Sequence, residues 1–286
     1  MRSRWIAYGC LTASTSLIGS YVGLSKLLVA VFPVFLLAGL RFSIAGLLML
    51  PWLRRSPSEP RLDRRTHMLL FSEAFLGNFL FSICLLTGLH YASAVVAGVI
   101  LAGIPAAVAL LSRIFLGERI APRVLAGILL GVAGIALVAL QREGGASTTP
   151  LGALLLVTAM LCEASYVVIG KRLTANVTPR RISAMINLWG LVLVAPLALW
   201  QAASFDFSLP SLPIWGLMAF YATAASVITV WLWMTGLKHI AAAQAGVFMV
   251  FLPVATAIVG MLLGETMNSM QVLAYALALV GVLLAA

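Results

Sequence analysis

Three ionisable residues stand inside long apolar runs of the sequence: Arg41, Glu73 and Glu163. Such groups are costly within a lipid bilayer, so they are expected either to serve function or to be paired with one another. A carboxyl group in an apolar, partly dry cavity can alternate between holding a proton and holding a substrate ammonium. We therefore predict proton and substrate exchange at Glu163, with Glu73 as the alternative. Arg41 is expected either to join the site or to form a structural ion pair with one glutamate.

Polar and aromatic residues on the same apolar runs are further candidates for binding. They are Tyr21, Asn78, Ser82, Tyr166, Trp231, Trp233 and Gln244. Tyr21 and Tyr166 stand at matched positions in "SYVGLSK" and "SYVVIGK", which favours a shared packing role over a pair of gate residues. Aromatic residues at the ends of apolar runs are discounted, because they are typical of the membrane interface.

Four small or imino residues are candidates for hinges. Gly98 precedes Pro105, and Gly246 precedes Pro253, each pair within one apolar run. Proline removes a backbone hydrogen bond and permits a kink, so these runs are predicted to bend around a site. Static packing in a crowded helical bundle is the alternative, since both residue types are common in membrane helices.

The composition indicates which kind of structure must position these residues. The chain has 286 residues, of which 63% are hydrophobic and 9% charged, and its mean hydropathy is +1.10. An ordinary soluble domain carries roughly 25% charged residues, so this is an integral membrane protein with no sizeable soluble domain. The net charge of +10 resides in short connectors. There it is expected to set orientation and contact anionic lipid rather than nucleic acid.

Ten apolar runs are long enough to be membrane helices. They are predicted at 5–24, 33–53, 67–89, 93–115, 121–140, 150–170, 182–201, 212–236, 241–263 and 267–285. With both termini on one side, fifteen of the eighteen basic residues fall in connectors on that side. The exceptions are Lys26, Arg41 and Arg142. Basic connectors mark the cytoplasmic side, so both termini are expected to be cytoplasmic.

The sequence also repeats itself. The stretch 88–118, "GLHYASAVVAGVILAGIPAAVALLSRIFLGE", aligns with 236–265, "GLKHIAAAQAGVFMVFLPVATAIVGMLLGE". Residues 1–143 and 148–286 are thus predicted to be two five-helix repeats, and an odd number of spans inverts the second. Inverted repeats are typical of secondary transporters, which bind substrate near the membrane midplane between the repeats.

Both repeats contain Leu-Gly-Glu after an apolar run, ending in Glu118 and Glu265. Each glycine is predicted to end one helix as a cap. Each glutamate is predicted to lie at the start of the helix that follows, where the helix dipole favours a negative charge. We therefore do not assign either glutamate to the substrate.

The ten runs, the segment "LAGLRFSIAGLLML" and the doubled proline and Leu-Gly-Glu spacing resemble the drug/metabolite transporter superfamily, in its EamA-like branch. The resemblance implies an all-α membrane protein of ten helices in a 5+5 inverted repeat. It also implies a cavity surrounded by helices 1, 3, 4, 6, 8 and 9, with helices 5 and 10 peripheral. Members are mostly exporters of amino acids and other small metabolites, driven by ion gradients or by exchange.

We accordingly expect a secondary transporter in a bacterial-type inner membrane, working by proton-coupled antiport or exchange. One buried arginine and two buried glutamates suit a zwitterion, such as an amino acid or an amino-acid-derived compound, including opine-type metallophores. The chain is expected to be a monomer or weak dimer without a cofactor or metal.

Two other functions are considered. A translocase for a lipid-linked sugar or a hydrophobic cation would use the same fold. An intramembrane enzyme is not expected, because the sequence lacks zinc-protease, nucleophile-elbow and phosphate-loop motifs, and no aspartate lies within a predicted span.

Overall fold

The computed structural model describes residues 2–57, 59–92, 94–140, 149–262 and 269–285, and the regular elements within these ranges are helices. They group into ten segments, close to the ten predicted runs. The segments are α1 Arg2–Val29, α2 Val34–Met49, α3 Arg64–Tyr91, α4 Ala94–Ala102 and Ile104–Leu116, α5 Pro122–Leu140, α6 Pro150–Leu173, α7 Pro179–Ala203, α8 Leu212–His239, α9 Ala242–Val247 with Phe248–Val250 and Phe251–Leu262, and α10 Ser269–Ala285.

The expected all-α membrane fold is confirmed. By length and hydropathy, α2, α3, α4, α6, α7, α8 and α9 can each cross a membrane within the described residues, while the described apolar parts of α5 and α10 are shorter. α1 spans 28 residues. α3 and α6 begin at side-chain caps. For example, Thr149 accepts a hydrogen bond from Gly152 N at 3.1 Å, and Pro150 occupies the first turn of α6.

The helix contacts follow the two-fold symmetry of an inverted repeat. α2 packs on its own counterpart α7, and α5 packs on its counterpart α10. The contact of α1 with α8 is matched by that of α6 with α3, and the contact of α1 with α9 by that of α6 with α4. Exchanging each helix with the one five positions along therefore preserves these contacts, as the sequence repeat predicts.

Local irregularities repeat as well. α3 contains a π-helical segment at Phe75–Leu80, and α8 contains one at Thr223–Ile228. The two segments begin 148 positions apart, the same separation as Gly88 and Gly236 in the aligned repeats. A π-helical turn inserts one residue into a helix and is frequent at functional sites. The repeat therefore preserves backbone detail as well as helix order.

The connectors 54–57 with 59–63, 117–121, 174–178 and 240–241 lie on one face of the bundle, which we call the basic face because it carries Arg54, Arg55, Arg61 and Arg119. Gly117 ends α4 with φ +68°, in the left-handed conformation predicted for a glycine cap.

The prediction for Glu118 was wrong in one respect. Its carboxylate accepts hydrogen bonds from Ala242 N at 2.9 Å and Ala243 N at 3.2 Å, at the start of α9 rather than of the following helix α5. The reason is that α9 packs on α4 at this face and its first N–H groups have no partner within their own helix. Glu265 lies outside the described residues.

The pair α5 and α10 approaches closely through small residues. A Cβ at Gly134 would stand 2.8 Å from Ala278 Cβ and 3.0 Å from Ala278 N, so the backbone of α10 would have to move. Small residues at such an interface allow close packing of membrane helices.

We therefore expect Gly134→Ala to lower the stability of the protein by about 1–3 kcal/mol, the usual cost of overpacking. The measurement is the midpoint of thermal unfolding in detergent. Gly9→Ala is the matched control, because a Cβ there meets no atom within 4 Å. Equal midpoints for the two variants would contradict the assigned packing of α5 on α10.

Candidate functional site

A central cavity of about 520 Å³ lies between the two halves of the bundle. Its walls come from α1, α3, α4, α6, α8 and α9, with Ile135 of α5 as a single addition. The six helices are those that the family resemblance implies. A volume of this size suits a small molecule, since ligand pockets range from about 300 to 1,000 Å³.

Glu163 of α6 lines this cavity, and it is the one ionisable acid or base among the described lining residues. Its side chain is half-buried and has no ion-pair partner in the part of the chain that the structure describes. Its position follows from α6, where it lies thirteen residues beyond Pro150 and so about 20 Å along the helix. The cavity wall therefore presents a single carboxyl group to whatever it binds.

The repeat gives Glu163 an apolar counterpart. Gly236 packs against Leu11 of α1, and Gly88 packs in the same way against Leu156 of α6, which relates α1 to α6 by 145 positions. On this relation Glu163 corresponds to Ile18, and both residues line the cavity. The charge is thus an asymmetric addition to a symmetric wall.

Tyr166 and Asn78, two of the binding candidates named from sequence, lie in the wall beside Glu163; that they bind substrate stays a prediction. Asn78 belongs to the π-helical segment of α3, and Tyr166 stands one turn beyond Glu163 on α6. A Cβ at Gly77 would stand 2.7 Å from Tyr166 Cγ and 2.8 Å from Tyr166 Cβ. Glycine is therefore required at position 77 for the tyrosine ring to lie against the π-helical backbone.

Trp233 and Thr229 of α8 each contribute a polar group to the cavity wall. They lie one turn apart on one face of the helix and both line the cavity. Trp233 Nε1 and Thr229 Oγ1 are buried and have no hydrogen-bond partner among the described residues. Thr229 was missed by the sequence analysis. Its position four residues before Trp233 is the signal that would have identified it.

Ser14 and Thr15 of α1 also line the cavity. Ser14 Oγ donates to Thr229 O at 2.9 Å, and Thr15 Oγ1 donates to Leu11 O at 2.8 Å. The first bond ties α1 to α8 at the cavity wall. Thr15, like Thr229, was not a candidate from sequence.

The four predicted hinge residues lie where α4 and α9 are interrupted. α4 breaks at Gly103 and resumes at Ile104, while α9 narrows to a 3₁₀ turn at Phe248–Val250 before resuming. Gly98, Pro105 and Pro253 line the cavity. Gly246 is buried, and a Cβ added at this position would stand 3.3 Å from Val108 Cβ. Bending during transport stays a prediction.

The other two ionisable candidates lie away from the cavity wall. The Arg41 guanidinium stacks over the Phe42 ring at 4.5 Å and forms no ion pair with a described carboxylate. Glu73 is fully buried, with neither carboxyl oxygen hydrogen-bonded within the described residues. Its Oε1 would stand 2.6 Å from a Cβ at Gly170 of α6. The expected ion pair between Arg41 and Glu73 or Glu163 is therefore not found among these groups.

Three further binding candidates are not among the cavity-lining residues, and the side chain of a fourth is not described. Ser82 is exposed and donates to Asn78 O at 2.6 Å within the π-helical segment of α3. Trp231 packs with its ring centroid 6.2 Å from that of Trp52. Gln244 donates to Tyr8 Oη at 3.1 Å and to Ala285 O at 2.5 Å, joining α9 to α1 and α10. The side chain of Tyr21 lies outside the described residues.

Comparison with known proteins gives consistent findings. The model of the EamA-like transporter family matches residues 4–140 and 150–286. The uncharacterized transporter YetK of Bacillus subtilis is 35% identical over 264 residues, covering 91% of this chain and 80% of that protein. The uncharacterized inner membrane transporter YedA of Escherichia coli K12 is 27% identical, with 93% and 86% covered.

A solved crystal structure of another protein has the same fold. The TM-score is 0.77 over 99% of this chain and 96% of the other, at 20% sequence identity. At that identity the likeness concerns the fold alone.

Proposed function

Since the chain belongs to the EamA-like transporter family, we propose that it is a secondary active transporter that binds a small ammonium-bearing molecule at Glu163 and exchanges it for a proton. The observation that carries this proposal is the single carboxyl group in the described wall of the central cavity. The protein itself is a multi-pass membrane transporter and not an enzyme.

One carboxyl group suffices for obligatory exchange. When Glu163 is ionised it attracts an ammonium group, and in a poorly hydrated cavity this attraction is stronger than in water. When it is protonated, the attraction is lost and the substrate leaves. The carboxyl group holds either ligand but not both, and in this mechanism the empty, ionised form does not change conformation, so each transport step of the substrate in one direction requires a proton in the other.

The remaining wall indicates what else the substrate carries. It is mostly aliphatic and aromatic, with Ile18, Phe81, Leu85 and Leu101 among its members, so an apolar body gains by burial there. The described lining residues include no cation that would pair with a carboxylate. A cationic substrate with an apolar body therefore fits better than the zwitterion expected from the sequence.

A zwitterion, such as an amino acid or its derivative, is the second candidate. Ile104 and Pro105 line the cavity at the first turn of the second part of α4, and Leu252 and Pro253 do so at the equivalent place in α9. Such N-terminal turns favour anionic groups, and interrupted helices bind substrate carboxylates in other transporters. This observation supports a carboxylate lying between the two halves.

We propose that the basic face is cytoplasmic and that transport is outward across the inner membrane. The orientation is supported by the distribution of basic residues, and the membrane by the similarity to YedA, an uncharacterized inner membrane transporter of Escherichia coli. Export itself is supported only by the family resemblance.

The test is a binding panel on the purified protein in detergent, made of the standard amino acids and the amines formed by their decarboxylation. We expect the tightest ligand to be an amine with an apolar side chain. It should raise the unfolding midpoint and release a proton into lightly buffered solution, because it displaces the Glu163 proton. Its amino-acid counterpart should bind about tenfold more weakly or worse, since it brings an unpaired carboxylate into the cavity.

Three results would count against the proposal. Tighter binding of the amino acid in most pairs would favour the zwitterion, and binding without proton release would exclude exchange at Glu163. Absence of binding by both series would overturn the substrate class.

A further inference from the structure

Two carboxylates from the first half of the chain bond helix N-termini in the second half. Glu118 caps α9 through Ala242 N and Ala243 N, as described above. Glu59, in the connector from α2 to α3, accepts from Thr178 N at 2.6 Å and from Arg181 Nη1 at 2.9 Å, at the start of α7. Both contacts lie on the basic face, and both join one half to the other.

Glu59 is held in its charged form. Burial by itself would raise the pKa of this carboxyl group, but the hydrogen bonds from Thr178 and Arg181 outweigh burial and lower the pKa. The side chain is only 4% exposed, so the ion pair is shielded from water on most sides. A shielded, hydrogen-bonded pair of opposite charges is among the stronger polar contacts of a protein.

Lys171 secures the same connector that Glu118 caps. Its Nζ donates to Leu237 O at 2.9 Å and to Lys238 O at 3.2 Å, at the last turn of α8. The short link between α8 and α9 is therefore held by a cation at the end of one helix and by an anion at the start of the next. Each charge complements the dipole of the helix end that it contacts.

The opposite face has a neutral version of this arrangement. Gln201, at the end of α7, accepts hydrogen bonds from Phe35 N and Leu36 N, each at 2.9 Å, at the start of α2. Here a side chain of the second half caps a helix of the first half, as the inverted repeat requires. Within the described residues, the carboxylate caps between halves lie on the basic face and the amide cap lies on the other.

This difference bears on how the cavity opens. In a transporter built from inverted repeats, the halves separate on one face while they close on the other. Opening toward the basic face separates Glu118 from α9 and Glu59 from α7, which leaves two carboxylates without these partners. Opening toward the opposite face separates the neutral Gln201 amide from its two N–H groups, and no carboxylate among the described residues loses an inter-half partner there.

We propose that Glu59 and Glu118 form a latch between the halves, which favours the conformation closed at the basic face and open, or ready to open, at the opposite face. The latch depends on alternating access in this family and not on the identity of the substrate or on exchange at Glu163. Its test can therefore be made without substrate.

The experiment measures from which face a cavity residue can be reached. In a background with Cys10, Cys84 and Cys162 replaced by alanine, Ile18→Cys places one thiol in the cavity wall. The protein is reconstituted in liposomes with known orientation, and labelling by a membrane-impermeant maleimide is timed from each face. The latch variants are Glu118→Gln and Glu59→Gln, singly and together.

We expect the double variant to raise the ratio of basic-face to opposite-face labelling by about fivefold or more, because two charge-assisted contacts that favour one state are lost. Asp63→Asn is the matched control. Asp63 is also a carboxylate of the basic face that caps a helix, but it accepts from Thr66 N at 2.8 Å within its own half. This control should leave the ratio unchanged.

An unchanged ratio in a folded double variant would overturn the latch, and so would an equal shift in Asp63→Asn. If the glutamate variants do not fold, Arg181→Gln tests the Glu59 contact from its other side, because Arg181 Nη1 donates to Glu59 across the two halves, and it should shift labelling in the same direction. No shift with Arg181→Gln would then count against the proposal. Failure of ligand binding in the panel above would leave these labelling results unaffected.

Discussion

Replacing Glu163 by glutamine is expected to abolish proton-coupled transport while leaving the protein folded. The substitution keeps the size and polarity of the side chain and removes only its charge and its proton exchange. Loss of one partner of a poorly hydrated ion pair costs about 3–5 kcal/mol, which corresponds to roughly 10²–10⁴-fold in affinity for a cationic substrate. Coupling should be lost altogether, because a glutamine side chain has no proton to exchange.

The measurement is substrate-driven proton movement in proteoliposomes, together with the unfolding midpoint in detergent. Glu73→Gln is the matched control, since it is the same substitution in another carboxyl group of a membrane helix. Glu73 is fully buried against α6 and is not among the cavity-lining residues, so its variant should keep coupled transport within a few-fold of the original protein.

The two variants also decide between the two carboxyl groups named from sequence. Undiminished coupled transport in Glu163→Gln would exclude this residue as the exchange site. Loss of coupling in Glu73→Gln alone would move the site to the interface of α3 and α6. Loss in both would indicate that proton transfer passes through a group outside the cavity wall.

The fold was accessible from sequence because its signals are long and repeated. Apolar runs of about 20 residues predict membrane helices, and the pairing of Gly88 with Gly236 and of Pro105 with Pro253 predicts the inverted repeat. Each of these signals depends on residue type and spacing along the chain. The structure needed only to supply the packing that the duplication implies.

The site was only partly accessible, because it depends on how each helix is turned about its axis. Trp231 and Trp233 are two residues apart and so about 200° apart around a helix. They cannot both face the cavity, and only Trp233 does. The same geometry places Thr229 beside Trp233, so this part of the wall could have been derived by counting helical turns.

The π-helical segments determine a part of the cavity wall that cannot be derived by counting helical turns along the sequence. An inserted residue rotates everything before it relative to everything after it by about 100°. In α3 the segment Phe75–Leu80 separates Glu73, which points into the packing of α6, from Phe81 and Leu85 of the cavity wall. Nothing in the residue types of "FLGNFL" announces this insertion.

The contacts between the two halves could not be predicted from the sequence for a third reason: they join distant residues through backbone atoms. Glu118 bonds N–H groups of Ala242 and Ala243, and every residue except proline carries such a group. The sequence therefore shows the carboxylate but not its partner. Only the arrangement of α4 against α9 identifies which helix start it caps.

Moving the carboxyl group from the second repeat to the equivalent position in the first repeat is the most demanding test of the proposed mechanism. Ile18 and Glu163 are related by the repeat and both line the cavity. Glu163→Ile alone should lose coupled transport, as Glu163→Gln does. The double variant Ile18→Glu with Glu163→Ile should regain at least about a tenth of it, because attraction of a cation in a small cavity depends on distance rather than on which helix bears the charge.

Ile18→Glu with Glu163 retained is the control, and it separates position from number of charges. Two carboxyl groups in one cavity oppose each other's ionisation. This variant should therefore still exchange cations for protons, but its cation binding should depend on pH differently from that of the original protein. If the double variant folds but does not exchange protons for substrate, the carboxyl group requires its own neighbours on α6. Gly77 and Asn78 would then be the residues to change next, because the repeat has Ala225 and Ser226 at the equivalent positions of α8 beside Ile18.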